Sequence, residues 1–382
     1  MMTDEDYMSM ALSLAKKGKG KTSPNPMVGA IVVRDRKVIG RGFHERPGLP
    51  HAEVLAMAAA GSGVRGATLY TNLEPCVHTK KRTPPCTGEI IRRGIKRVVI
   101  GMIDPNPMVS GRGIEELKKG GVSVVAGILK EKAERLNEAF SKYITRRRPF
   151  VILKIASSLD GKIATPAGES KWITGDISRR YVHRLRSEAD AVMVGIGTIL
   201  KDDPSLTSRV KDGRDPIRIV VDERLCIPTG SKVLSLDSPS KTYIATIYGA
   251  SKAKIRKIEE MGGLVLTVKK KDGLVDLTSL MDRLGEMEIT SLLIEGGAEI
   301  NASALAEGIV DKAIFFFAPK IIGGQRSLSS IGGDSPENLE ELTHVHDIRI
   351  KKMGADIMVE GYVTLDKREA AYARKGILRR TG

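Results

Sequence analysis

The stretch PCVHTKKRTPPC, residues 75–86, decides how the chain is read. It holds two of the three cysteines of a 382-residue chain, one near each end of a basic loop stiffened by Pro84 and Pro85. The run ATLYTNL before it has the β-rich composition of a strand, and a short helix from Cys86 after it stops at Gly94. Three cysteines cannot build a disulfide framework, and an odd count points to reduced thiols in the cytoplasm. Paired thiols on one loop are then either small buried hydrophobes or metal ligands, and the company they keep decides between the two.

That company is HAE, residues 51–53, at the start of a helix that runs to Ala60 and ends at Gly61. In mid-helix, positions two apart point away from each other; in the first turn both can reach past the helix end. His51, Cys76 and Cys86 then make a three-ligand set for zinc, and three protein ligands leave a fourth position open for water, as in catalytic sites. Zinc in such a site lowers the pKa of its water toward neutrality. Glu53, left off the metal, is the candidate proton carrier. Two helix N-termini facing the ion favour thiolates. His-x-Glu followed by Pro-Cys-x-x-Cys is the signature of zinc nucleobase deaminases, and this chain has the same order of residues with a wider loop between the cysteines. His78 is a further candidate for substrate contact, and Cys226, without companions, reads as structural.

Farther out, residues 4 to about 145 alternate helix and strand. Thr3 is a plausible cap for a first helix, Arg34-Asp35-Arg36 reads as a hairpin turn, and the last helix is expected over about 130–144. The basic run RRRP, 146–149, reads as a linker. From Phe150 a second alternating series begins, with strands AVMVGI, IRIVVD, TYIATI, LVLTV, SLLIEGG and AIFFFAP, and with helices near 177–187, 251–260 and 298–307. The expected organisation is α/β throughout: a zinc domain over 1–146, a second domain over 147–365 and a basic tail over 366–382. In the second domain IEGGAEINASAL reads strand, Gly-Gly, helix, which suits a pyrophosphate, and PKIIGG offers another close-approach turn. The net charge of +16 would suit an anionic partner, but the basic residues are spread along the whole chain. No apolar run approaches membrane-spanning length.

NPMVGA (25–30), GFH (42–44), HAEVLA and LEPCVHTKKRTPPC together resemble the deaminase half of the bifunctional riboflavin-biosynthesis deaminase/reductases. The nine residues between Cys76 and Cys86 are one more than that family's pattern carries, which bears on the loop contacts of His78 and Lys80. LKIASSLDGKIA, ESKWITG, LRSEADAVMVGIGTILKDDPSLTSR and LLIEGGAEI resemble the reductase half. The resemblance implies a cytidine-deaminase-like three-layer N-terminal domain and a dihydrofolate-reductase-like C-terminal domain using NADPH. It implies cofactor contacts at Ala156, Trp172, Thr198, Asp202 and the turn of Gly297, Ala298, Glu299, Ile300, Asn301, Ala302 and Ser303. It implies substrate contacts at Asn25, His44, Ser170, Arg186, Leu206, Arg209 and Glu295. Arg186 and Arg209 suit a sugar phosphate, and Lys154 and Asp202 suit proton transfer. The implied partner is a small phosphorylated pyrimidine, with no nucleic acid or membrane, for a cytoplasmic homo-oligomer. Two other readings stay open from the residues: a nucleic-acid base deaminase with an accessory domain, and a metal-stabilised binding protein without turnover.

Overall fold

Residues 2–77 and 85–364 are described by the computed structural model of the chain, which falls into two units that part between Arg148 and Pro149. His78, Lys80 and the basic tail from 366 lie outside the described residues.

The first unit opens with α1 (Asp4–Ala15). Asp6 N–H donates to Thr3 Oγ1 at 3.3 Å and Thr3 N–H donates back to Asp6 Oδ2 at 2.8 Å, a reciprocal cap. Strands β1 (Gly29–Arg34) and β2 (Lys37–Phe43) follow. They turn through Asp35 and Arg36, both with positive φ, as a two-residue hairpin loop of the right twist requires. Next come α2 (Ala52–Ala60), β3 (Thr68–Leu73), α3 (Cys86–Arg92), β4 (Arg97–Met102), α4 (Arg112–Lys119) and β5 (Ser123–Ala126). The sheet order is β2-β1-β3-β4-β5, with β3, β4 and β5 parallel.

Two glycines let helices close on both faces of this sheet. A Cβ on Gly42 would stand 2.4 Å from the Ala52 carbonyl of α2, and one on Gly29 would stand 2.2 Å from the Ala11 carbonyl of α1. Gly42 pairs with Ala30, and Ala30 faces opposite to Gly29, so α2 and α1 cover opposite faces. The result is the expected three-layer unit around Ile31, Val32, Met57, Leu69, Val99 and Ile100.

The helix expected over 130–144 is two: α5 (Lys130–Leu136) and α6 (Glu138–Arg146). Asn137 breaks it. Its buried side chain accepts from Met27 N–H at 2.8 Å and donates to the Met27 carbonyl at 3.1 Å, so the residue answers to a loop 110 positions away rather than to helix periodicity.

The second unit runs β6 (Phe150–Ser158), β7 (Lys162–Ala164), α7 (Asp176–Glu188), β8 (Ala191–Gly195), α8 (Ile196–Asp202), β9 (Ile217–Val221), α9 (Lys232–Ser235), β10 (Thr242–Ile247), α10 (Lys252–Glu260) and β11 (Leu264–Val268). It continues with β12 (Lys270–Lys271), β13 (Leu274–Val275), α11 (Leu277–Glu286), β14 (Ser291–Ile294), α12 (Ala298–Ala306), β15 (Lys312–Ala318), β16 (Leu328–Ser329), β17 (His344–Met353) and β18 (Asp356–Thr364). Nine of these strands, among the described residues, form one sheet in the order β11-β10-β9-β8-β14-β6-β15-β18-β17. From β11 to β15 it is parallel, and its central strands are apolar on both faces, as a sheet covered on both sides demands. The antiparallel hairpin β17–β18 closes it. Helices α8, α9 and α11 and this hairpin go beyond what the sequence pattern predicts. In β17, HVHDIRIKKM, every residue but Met353 is exposed, so no buried-strand signal exists to read.

Candidate active sites

In the first unit, α2 and α3 bring their N-termini to the end of β3. His51 is the N-cap of α2, Cys86 is the first residue of α3, and Cys76 lies three residues past β3. One ligand atom from each of the three lies within 4.8 Å of the others. His51 Nδ1 stands 3.2 Å from Cys86 Sγ and 3.6 Å from Cys76 Sγ. A nitrogen and two sulfurs converging on one point, two of them on helix N-termini, fit a zinc ion. Hydrogen bonding from Cys86 holds the Cys76 thiol down to about 4, against the opposing effect of its burial.

Glu53, in the first turn of α2, is buried, and that burial pushes its carboxyl up from the ordinary range. A carboxyl raised in this way keeps a proton more readily than an exposed one, which suits a group that carries protons. Beside the triad, His44 is buried, and its ring meets that of His51 edge-on with centroids 5.6 Å apart. His44 Nε2 stands 3.1 Å from Asn25 Nδ2. The Asn25 arm is anchored two residues on, where Asn72 Nδ2 donates to the Met27 carbonyl at 2.9 Å and Asn137 Nδ2 donates to the same carbonyl at 3.1 Å. Asn25, His44, His51, Glu53, Cys76 and Cys86 thus share one neighbourhood. Asn72, Asn137 and Glu74 hold its backbone, parts that the sequence pattern assigns to none of them.

In the second unit, Glu295 follows β14 and lies next to Lys154 of β6, because β14 and β6 run parallel with Ile294 opposite Leu153. Lys154 Nζ is 3.0 Å from Glu295 Oε2. From α7, Arg186 donates Nε to Glu295 Oε1 at 2.5 Å and Nη2 to Oε2 at 3.0 Å. Its Nη1 donates to the Thr207 carbonyl at 3.1 Å, and His183 Nδ1 lies 3.2 Å from that same carbonyl. Burial alone would raise Glu295, but the two cations overcome it and hold the carboxyl down to about 2. Arg186 is therefore committed to a fork with a carboxylate, whereas Arg209 is exposed on the loop after α8. Leu206 and Arg209 both sit at positive φ, 55° and 54°, backbone strain of the sort that collects at functional loops.

The Gly-Gly turn leads into α12, with Gly297 as its N-cap. A Cβ on Gly296 would lie 1.7 Å from Ile300 Cγ2, so only glycine fits there. Asn301 is buried with Oδ1 lacking a hydrogen-bond partner, while its Nδ2 donates to the Ser330 carbonyl at 2.9 Å. A nine-residue helix with free N–H groups at its start fits a phosphate-bearing cofactor, while the orphaned Asn301 Oδ1 is an acceptor that would take a hydroxyl or amino hydrogen and not a phosphate. Thr198 approaches this turn, its Oγ1 3.9 Å from where a Gly297 Cβ would be. Ser170 Oγ is 3.4 Å from Asp202 Oδ1. Trp172 is largely exposed, with the Arg179 guanidinium 4.5 Å over its ring. Ala156 lies on β6, two residues past Lys154.

Residues 149–359 match the family model for the RibD C-terminal domain, and residues 1–102 match the cytidine and deoxycytidylate deaminase zinc-binding region. The chain is 46% identical to riboflavin biosynthesis protein RibD of Aquifex aeolicus (strain VF5) over 93% of its own length and 97% of that protein's. It is 43% identical to the RibD of Actinobacillus pleuropneumoniae, over 95% and 96%. Among solved structures, Acinetobacter baumannii RibD superposes with a TM-score of 0.84 at 35% identity, covering 94% of this chain and 99% of that one. The Thermotoga maritima diaminohydroxyphosphoribosylaminopyrimidine deaminase/5-amino-6-(5-phosphoribosylamino)uracil reductase superposes with a TM-score of 0.81 at 38% identity, over 94% and 99%. Similarity of this extent over both halves shows that the chain belongs to the RibD family of bifunctional riboflavin-biosynthesis enzymes, a zinc-type deaminase joined to a reductase.

Proposed function

We propose that residues 1–146 deaminate a diaminopyrimidinone carrying a ribosylamino phosphate, and that residues 147–365 then reduce the ribosyl group of the product to ribityl. The convergence of His51, Cys76 and Cys86 beside the buried Glu53 is the observation that carries this reading. These three residues hold the zinc, which when bound supplies the Lewis acidity that makes a water nucleophilic near neutral pH. Glu53 takes one proton of the attacking water and delivers it to a ring nitrogen, then takes the remaining hydroxyl proton and delivers it to the departing amino group, which leaves as ammonia. Asn25 and His44 orient the pyrimidine.

In the second half, NADPH supplies hydride when bound, with the Gly297–Ser303 turn, Thr198, Ala156, Trp172 and Asp202 as its seat. Arg209, Ser170 and Leu206 position the phosphorylated sugar. Arg186 fixes Glu295, and Lys154 is placed to pass a proton at the reacting sugar.

The partner is a small phosphorylated pyrimidine rather than nucleic acid or a membrane, and the compartment is the cytoplasm. Among the described residues no helix is long and apolar enough to cross a membrane. Self-association is supported by β17, which ends the large sheet with Ile348 and Ile350 exposed. The test is a stepwise assay of the purified chain with the pyrimidine substrate. One ammonia released and then one NADPH consumed per substrate is expected. NADPH consumption with no ammonia would refute the order of steps.

A further inference from the structure

Glu74 stands between β3 and Cys76, and it is 2% exposed. Its carboxylate takes four backbone N–H groups. Oε2 accepts from Asp104 at 3.1 Å and Gly111 at 3.0 Å, and Oε1 accepts from Gly113 at 2.9 Å and Ile114 at 3.2 Å. Gly113 and Ile114 belong to the first turn of α4, whose N-cap, Gly111, has no side chain to offer. Glu74 therefore supplies from a distant strand the acceptors that this helix end lacks, with the favourable sign of charge. The contact is close: a Cβ on Gly113 would stand 2.3 Å from the Pro75 carbonyl.

We infer that Glu74 is a positioning residue for the deaminase site, setting the place of Cys76 by latching its chain to α4; this inference rests on the metal reading proposed above. Pro75, with its fixed φ, is the single residue between the latch and the cysteine. On the other side, the Cys76 carbonyl accepts from Thr87 N–H at 3.4 Å and Thr87 Oγ1 at 3.3 Å, next to Cys86 on α3. Cys76 is thus clamped before and after, once to α4 and once to the helix that bears the other thiol. A carboxylate with the desolvation cost of full burial is a poor choice for packing alone. It is a good choice where two oxygens must gather four N–H groups and fix one peptide.

The test is Glu74→Gln in the full chain, loaded with Co²⁺ as a spectroscopic stand-in for zinc. The amide nitrogen cannot accept, so at least two of the four bonds are lost. A changed visible Co²⁺ spectrum and a roughly 10- to 100-fold faster release of metal to a chelator are expected, the scale seen when outer partners of metal ligands are removed. The kcat of ammonia release should fall, while NADPH oxidation on supplied deaminated intermediate stays unchanged. A spectrum and release rate equal to those of the unaltered chain, even with a lowered Tm, would make Glu74 merely architectural and overturn the inference. Should the unaltered chain itself bind no Co²⁺, the metal reading fails, and this inference with it. If Glu74→Gln does not fold, Glu74→Asp keeps the charge on a shorter arm; a shifted Co²⁺ spectrum is then expected, and an unshifted one overturns the inference.

Discussion

Glu53→Gln is expected to lower ammonia release by about 10²- to 10⁴-fold, the range that a positioned general acid–base group contributes. Gln keeps the size of the side chain and its place in the first turn of α2, so zinc content should stay as it was. What is lost is the buried carboxyl of α2 beside the triad, the group proposed to carry the protons. NADPH oxidation, started with the deaminated intermediate, should be untouched, because the residues proposed for that step belong to the other unit. Loss of both activities in a folded variant would contradict the assignment of one step to each unit.

A comparable effect is expected in the reductase half at Glu295. Its carboxylate is shared by Arg186 and Lys154, all three side chains being largely buried. Glu295→Gln leaves two cations without a counter-charge, and removing one partner from a buried ion pair costs about 3–5 kcal/mol. The second unit should melt earlier and NADPH oxidation should fall, with ammonia release retained. The pH dependence has a definite sign. Glu295 sits at about 2, below its ordinary value of 4.5, so the unfolded chain takes up this proton first. The stabilisation is therefore complete above about pH 4.5 and fades as pH falls through about 2. In acid unfolding followed separately for the two units, the variant should lack that part of the second unit's loss. An unchanged acid profile would show that the triad contributes little.

The parts of the molecule legible in the sequence are those governed by local rules. Thr3 caps α1 because a hydroxyl three residues before an acidic side chain closes a reciprocal pair. Gly61 ends α2 at positive φ, and Asp35-Arg36 turns the first hairpin. The central strands announce themselves by unbroken Val, Ile and Leu. The approach of His51, Cys76 and Cys86 was also legible, since residues at two helix starts and on a loop after a strand can meet at one end of a sheet. The unread features depend on partners far along the chain. Asn137 interrupts an otherwise continuous helix to hold Met27. Glu74 binds peptides 30 to 40 positions away. Arg186 suggests a free phosphate clamp until α7 and β14 are folded together and Glu295 takes its fork. Strand β17 is exposed on both faces, its Val345, Ile348 and Ile350 included, so its apolar residues mark no core side.

Counting metal tests the centre of this reading most directly. The purified chain and its Cys86→Ser variant would be analysed for zinc, and each would be assayed for ammonia release. One zinc per chain is expected in the first, with little zinc and no ammonia release in the second, while the variant still oxidises NADPH on the deaminated intermediate. Undiminished ammonia release from a zinc-free chain would contradict it.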